Sequence, residues 1–149
     1  MTAAAPRALA ERLRDTRERL ENDIDLWLAS AGPDGAYLVP LSFLWDGDAF
    51  LVSTPRASVT GRNLLADGRV RLSLGHTRDV VVVDGTAEAV DLAGLPAGTG
   101  DRFRDRTGFD PRDLDAYQYF LIRPHRVQAW REANELRGRD LMRDGVWVG

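Results

Sequence analysis

The sequence of 149 residues contains no cysteine, which excludes disulfide bonds and thiolate metal sites. A chain without cysteine is typical of a reducing compartment, so we expect a cytoplasmic protein. The chain also has no run of about 18 apolar residues, and its N-terminus has no apolar segment of the signal-peptide type. We therefore expect a soluble protein that does not enter a membrane.

Lysine is absent as well, and all 20 basic residues are arginine. An arginine in this chain is therefore no evidence by itself of a site that requires a bidentate guanidinium. The formal net charge of −3 provides no broad positive surface for a nucleic-acid backbone. We expect no nucleic-acid partner, and an oligonucleotide-binding barrel with exposed aromatic residues is the less favoured alternative.

The motifs of several common enzyme classes are also missing. The sequence has no GxSxG, no HExxH, no phosphate loop and no dinucleotide fingerprint. Its two histidines, His76 and His125, are far apart and have no neighbour at ligand spacing, so we expect no metal site. No catalytic acid, base or nucleophile is identified from the sequence.

The length of 149 residues and the hydrophobic content of 44% predict one folded domain over residues 1–149, because a chain of this size can bury a core of its own. Residues 6–22 favour a helix with Leu9, Leu13 and Leu20 on one narrow stripe. We expect this helix to lie against the domain surface or a partner subunit, and a wholly solvated helix is the alternative. Residues 132–149 form a polar tail.

Alternating apolar and polar residues predict six strands joined mostly by short turns. Their segments are IDLWLASAG, AYLVPLSFLW, AFLVST, RVRLSLG, DVVVVDGTAEAV and AYQYFLIRPHRVQAW. Pro40 cannot donate to a strand ladder and predicts an edge or a bulge. The valine run at residues 80–83 predicts burial on both faces of its strand. A short helical segment anchored by Phe103 and Phe109 is expected before the last strand.

This strand pattern favours a closed antiparallel barrel over an open sheet, because closure removes unpaired edges. The interior of such a small barrel is filled by side chains. Any sizeable ligand is therefore expected outside the barrel, in a surface cleft or between subunits.

The segment STPRASVTGRNLLADGRVRLSL, residues 53–74, places polar residues in a turn and at a helix start. If the helix begins near Ser58, that residue caps it and the amides that follow remain free at the positive end of the helix. Thr60 and Arg62 add a hydroxyl and a cation, while Gly61 permits close backbone approach, as a phosphate site requires. Ordinary capping explains the same residues at least as well.

Two longer segments carry a resemblance: VPLSFLWDGDAFLVSTPRASVTGRNLLADGRVRLSLGHTRDVVVVDGTAEAV and FLIRPHRVQAWRE. In order and spacing they resemble the flavin-binding split-barrel family, the pyridoxamine 5′-phosphate oxidase-like proteins and their deazaflavin-dependent relatives. The resemblance covers residues 25–131. It implies a mainly β (α+β) fold, a six-stranded antiparallel split β-barrel with an N-terminal helix and short connecting helices.

The resemblance also implies an oxidoreductase that transfers hydride to or from a small-molecule substrate. The implied cofactor is FMN, with 8-hydroxy-5-deazaflavin as the alternative, and it lies between the subunits of a homodimer. The residues implied at the cofactor are Val39 and Pro40 beside the ring, Ser53 and Thr54 near the ribityl chain, Ser58, Thr60, Arg62 and Asn63 around the phosphate, Arg78 from the partner subunit, and Trp130.

One position departs from the family pattern. Many relatives have a basic residue, often lysine, where this sequence has Thr60. Arg56 or Arg62 is then expected to supply the positive charge. An altered cofactor preference is a second interpretation of the change, and a non-catalytic cofactor-binding or ligand-free dimeric barrel is a third.

Overall fold

The computed structural model of the protein describes residues 4–149, so the first three residues of the expected domain lie outside the described part. Three α-helices and nine strands are assigned in residues 4–149. The helices are α1 (Leu9–Asn22), α2 (Val59–Ala66) and α3 (Thr99–Thr107). The strands are β1 (Asp25–Gly32), β2 (Gly35–Ser42), β3 (Leu44–Trp45), β4 (Phe50–Pro55), β5 (Arg69–His76), β6 (Asp79–Val90), β7 (Tyr117–Trp130), β8 (Asp140–Arg143) and β9 (Val146–Trp147).

All strands join one antiparallel sheet in the order β2-β1-β5-β6-β7-β4-β3, with β8 and β9 attached to β7. The long strand β7 pairs with β6 along one edge, and with β4 and then β8 along the other. The sheet curls until β2 contacts β4, although these two strands do not pair within residues 4–149. This topology confirms the mainly β, antiparallel, barrel-like fold.

The strand count differs from the expected six for two local reasons. The predicted second strand breaks at Phe43, whose N–H donates to Ile24 O at 2.8 Å and whose ring is fully buried. The tail adds β8 and β9, which are too short to show a periodic pattern. Pro40 lies on β2 at the end of the strand order, which confirms the edge.

The main core fills the inside of the curled sheet. Val70, Leu72 and Leu74 point into it as predicted. The valine run is a correction: Val81 and Val83 are buried, but Val80 and Val82 are half-buried on the outer face. They remain partly exposed because strand residues alternate between faces and only the inner face is fully covered. A second core under α3 contains Phe103, with Phe109 packed beside it.

Helix α1 lies against the domain surface through a stripe that contains both apolar and polar residues. Leu13 and Leu20 are buried, whereas Leu9 is 46% exposed, so the predicted leucine stripe was wrong at that residue. Arg12 is buried beside them, and its Nη1 donates to the carbonyls of Ala129, Glu135 and Gly138 at 2.9–3.2 Å. Polar contacts therefore hold α1 as much as apolar ones.

None of the helices described in residues 4–149 is long and apolar enough to span a membrane. In the same residues, His, Asp and Glu side chains form no group of three that could hold a metal ion.

Candidate functional site

Helix α2 begins where the sequence predicts, immediately after Ser58. The Ser58 hydroxyl accepts a hydrogen bond from Gly61 N at 3.0 Å and donates to Pro55 O at 2.7 Å. Thr54 Oγ1 lies 3.4 Å from Ser58 Oγ. Ser58 is therefore a helix cap whose hydroxyl proton is already used by the turn that precedes the helix.

Gly61 allows that turn to pack tightly on the helix. A Cβ at this position would overlap Pro55 O and would also meet Arg56 O. The missing side chain thus makes room for the protein's own carbonyl groups. These two oxygens lie against the first turn of α2, where the phosphate was predicted.

Thr60 and Asn63 are both buried, and Asn63 connects α2 to the sheet. Thr60 is 2% exposed, and the buried Asn63 donates from Nδ2 to Ser30 Oγ at 3.1 Å. A Cβ at Gly32 would overlap Asn63 Oδ1, so the contact depends on a glycine in β1. The position of α2 is therefore set by a buried polar contact, and contact of these two residues with a cofactor stays a prediction.

Arg56 and Arg62 have opposite surroundings. The Arg56 guanidinium donates to Tyr117 O at 2.9 Å and to Asp115 O, which directs it to the start of β7. Arg62 is exposed, and its guanidinium makes no hydrogen bond or ion pair within residues 4–149. Both side chains are exposed and keep their charge, but two carbonyl oxygens fix the Arg56 guanidinium, so Arg62 is the one of the two without a hydrogen-bond partner in the described residues.

A cleft of about 620 Å³ runs between α2 and the β1–β2 hairpin. Its walls include Tyr37 from the hairpin and Val59, Arg62 and Asn63 from α2. The volume lies within the roughly 300–1,000 Å³ range of small-molecule sites. We call this space the α2 cleft.

Asp67 follows α2 at one end of the α2 cleft. Its carboxylate accepts hydrogen bonds from Arg69, chiefly from the side chain, and these hold its pKa at about 2, below the ordinary 3.8. Asp67 is therefore ionised at neutral pH and already has a cationic partner. The Arg62 charge is not required to neutralise it.

The predicted ring and ribityl residues lie on different faces of the sheet. Val39 packs against the main core, whereas Pro40 lies opposite Trp27 on the exposed outer face. Ser53 is opposite Tyr119, and its buried Oγ has no partner in the described residues. By strand alternation Ser53 faces the second core, and the buried Thr54 faces the other side.

Arg78 and Trp130 lie at the opposite end of β6 from α2. Arg78 is in the β5–β6 turn and pairs with Glu132 at 3.1 Å, while Trp130 is opposite Val80. The α2 end of β6 is marked by Ala87, whose N–H donates to the Gly68 carbonyl. From Val80 to Ala87 the strand spans about 23 Å, at about 3.3 Å per residue. One chain therefore does not bring the ten predicted residues together.

The outer face of the sheet carries features that the sequence reasoning missed. Trp27 and Leu38 are 49% and 59% exposed on β1 and β2. For Leu38, the signal in the sequence was the apolar character of both faces of β2. Beside them a groove of about 690 Å³ is lined by Thr86 and His125, among others. The β6–β7 register shifts at this point, and His125 Nε2 lies 2.6 Å from Thr86 Oγ1.

Comparison with known proteins identifies the family. The pyridoxamine 5′-phosphate oxidase family model matches residues 14–131. The chain belongs to this family. This confirms the resemblance drawn from the sequence. No curated protein matches the sequence.

Solved structures show the same fold at low sequence identity. An F420 reductase is 24% identical, with a TM-score of 0.60 over 74% of this chain and 94% of that chain. An FAD-binding protein from Mesorhizobium loti is 19% identical, with a TM-score of 0.58 over 77% and 89% of the two chains. HutZ, the heme storage protein from Vibrio cholerae, is 16% identical, with a TM-score of 0.63 over 79% and 94%. At these identities the likeness concerns the fold alone.

Proposed function

We propose that this protein is an oxidoreductase that transfers hydride to or from a small molecule. Its cofactor, which binds in the α2 cleft, is either the flavin FMN or a deazaflavin. The observation that carries the proposal is the exposed Arg62 guanidinium, which has no partner in residues 4–149 and lines a cleft of about 620 Å³. A cleft of this size with one free cation fits a ring system that carries an anionic group.

The family and two of the fold neighbours support this class of ligand. The chain belongs to the pyridoxamine 5′-phosphate oxidase family, and the neighbours include an F420 reductase and an FAD-binding protein. A flavin supplies the hydride chemistry when it is bound. The residues of this chain would bind and orient it: Arg62 would attract the anionic group, and the edge strand β2 would lie beside the ring.

The proposal includes a homodimer. Trp130, opposite Val80, lies about 23 Å along β6 from α2, and Arg78 lies beyond it, so a second copy is required to place them at the same cofactor. The exposed side chains of Trp27 and Leu38 provide an apolar surface for that copy. Light scattering should give twice the chain mass, and Leu38→Asp should shift it toward the monomer. A monomeric wild-type protein would contradict the shared site.

Binding is the direct test of the function. Apo protein titrated with FMN and with 8-hydroxy-5-deazaflavin should quench the fluorescence of at least one of them at a stoichiometry of one per chain. Arg62→Ala should weaken this binding, whereas Arg102→Ala, which removes an exposed arginine on α3, should not. Failure of both cofactors to bind would reject the proposal.

As a second candidate function, the protein binds heme and catalyses no reaction. This function is favoured by His125, whose imidazole lines the groove of about 690 Å³, and by the fold shared with a heme storage protein. Hemin added to the protein should then give a Soret band that His125→Ala abolishes. His76→Ala, which changes an exposed histidine outside this groove, is the control.

A further inference from the structure

We infer that a separate cavity, at the start of β7, binds a small α-amino acid with an apolar side chain. The cavity has a volume of about 260 Å³ and lies between the end of β6, the start of β7 and residues 111–115. It shares no lining residue with the α2 cleft, so it is independent of the proposed cofactor site. We call this space the β7 pocket.

Tyr119 has a buried hydroxyl without a hydrogen-bond partner. The residue lines the β7 pocket and is 8% exposed, and its Oη makes no hydrogen bond within residues 4–149. Burial raises the pKa of this phenol, so the hydroxyl is neutral at neutral pH and can donate or accept. Buried polar atoms in folded proteins are nearly always satisfied. A ligand atom in the β7 pocket would supply the missing partner.

The neighbouring Gln118 presents an acceptor to which nothing donates. Its Nε2 donates to Val90 O at 2.8 Å and to Tyr119 O at 3.1 Å. Because both partners are carbonyl groups, the amide nitrogen must face them and the amide oxygen points away. That oxygen accepts no hydrogen bond within residues 4–149. Gln118 therefore provides an acceptor in a fixed position at the wall of the β7 pocket.

Charges of both signs line the β7 pocket without a neutralising partner. The Arg56 guanidinium donates to the carbonyl groups of Asp115 and Tyr117, which fix its position and leave its positive charge. The carboxylates of Asp91 and Asp115 form no ion pair within residues 4–149. The β7 pocket therefore offers a positive and a negative charge to an external ligand.

Arg112, the other arginine of the β7 pocket, is already neutralised. Its guanidinium pairs with Asp101 and with Asp110, at 2.8 Å in each case. Hydrogen bonds from Arg112 hold the Asp110 pKa at about 2, below the ordinary 3.8, so that carboxylate is ionised at neutral pH. Arg112 thus forms part of the wall, and Arg56 is the cation that a ligand can neutralise.

These groups match the two charges of an α-amino acid. A carboxylate requires a positive charge and N–H donors, which the remaining N–H groups of Arg56 provide. An ammonium group requires acceptors, which Gln118 Oε1 and the two carboxylates provide. The volume is slightly below the roughly 300–1,000 Å³ of drug-sized sites, so the ligand must be small. An apolar side chain is favoured by the apolar lining residues, which are Val90, Leu92, Pro111 and Leu114.

L-Leucine and two analogues of the same shape provide the test. L-Leucine, L-valine and L-methionine are titrated into the protein at neutral pH, and calorimetry should show one site per chain. 4-Methylpentanoate lacks the ammonium group of leucine and 3-methylbutylamine lacks the carboxylate, so each should bind about tenfold more weakly than leucine. If none of the three amino acids binds at about 10 mM, or if either analogue binds as tightly as leucine, the inference is overturned.

Tyr119→Phe separates a role in binding from a role in stability. It removes the hydroxyl and keeps the ring, and the hydroxyl has no partner to lose. The melting temperature of the ligand-free variant should therefore equal or exceed that of wild type, while leucine affinity should fall about fivefold. Tyr37→Phe removes an exposed hydroxyl outside the β7 pocket and should change neither quantity. Unchanged leucine affinity in Tyr119→Phe would overturn the inference.

Arg56→Gln tests the contact with the ligand carboxylate. The amide keeps donors for the two carbonyl groups but removes the charge, so leucine should bind about tenfold more weakly while 3-methylbutylamine is unaffected. An equal effect on both ligands would contradict a carboxylate at Arg56 and overturn the inference. Arg62→Ala, at the α2 cleft, should leave leucine affinity unchanged. If leucine binds but neither FMN nor the deazaflavin does, the proposed function is rejected and the β7 pocket stands.

Discussion

Helices α1 and α2 both pack on the sheet, but the arginines beside them have opposite surroundings. At α1, the side chains of Arg7 and Glu135 are 5% and 3% exposed and pair at 2.8 Å, and Arg7 also reaches Asp15 at 3.2 Å. At α2, Arg62 is exposed beside the α2 cleft and has no partner in residues 4–149. One region has its charges neutralised inside the protein, and the other presents a charge to solvent.

This difference shows how to interpret an arginine in a chain that has no lysine. The residue type carries no information here, because every basic residue is arginine. The surroundings do carry information, since a buried ion must be paired and hydrogen-bonded to be tolerated. Arg7 therefore has a structural role, whereas Arg62 is free to bind an external anion.

The largest expected effect is at the α1 contact. Glu135→Ala should lower the free energy of unfolding by about 3 kcal/mol, because it removes the nearer of the two carboxylates that pair with the buried Arg7 guanidinium and leaves only Asp15 at 3.2 Å. Urea denaturation measures this loss. Glu132→Ala breaks the exposed pair with Arg78 and should cost no more than about 1 kcal/mol. Equal losses in the two variants would remove the distinction between buried and exposed arginines.

The same contact should respond to acid. Hydrogen bonds from Arg7 hold the Glu135 pKa at about 2, below the ordinary 4.5. Because the pKa is depressed in the folded state, the stabilisation is complete above about pH 4.5 and is lost as the pH falls toward 2. The difference in unfolding free energy between wild type and Glu135→Gln should shrink over this interval. A difference that stays constant would contradict the ion pair.

A smaller loss of stability is expected from a change at the contact between α2 and the sheet. Gly32→Ala would push its Cβ into Asn63 Oδ1 and disturb the bond to Ser30, at a cost of about 1–3 kcal/mol. Thermal and urea denaturation measure the loss. Gly94→Ala, at a site with open space around it, should change stability by no more than about 0.5 kcal/mol. If Gly32→Ala changes the free energy of unfolding as little as Gly94→Ala does, the Asn63 contact does not fix the position of α2.

The smallest effect on stability is expected for Arg62→Ala. Its unfolding free energy should lie within about 0.5 kcal/mol of wild type, because the side chain is exposed and makes no bond within residues 4–149. Cofactor affinity should nevertheless fall roughly tenfold, through loss of a charge-assisted hydrogen bond. A large loss of stability in the apo protein would show that Arg62 has a structural role, as Arg7 does.

Much of the fold could be predicted because local patterns agree with the final structure. Alternation placed β5 and β6 almost to the residue, and Ser58 marked the start of α2. The break at Phe43 was missed, because the apolar pattern continues through it while its N–H bonds to Ile24. Burial of Val80 and Val82 was overestimated, because a valine run does not reveal what covers each face.

The sequence by itself determined the strands, the capped start of α2 and the family, because these depend on periodicity and on residues that are close in the chain. The tertiary structure alone decided that Arg56 binds the Asp115 and Tyr117 carbonyl groups while Arg62 stays free. It also decided that Arg78 and Trp130 lie far from α2 along β6. The reason is that a side chain's partners come from segments distant in sequence, and their positions are fixed only when the sheet closes.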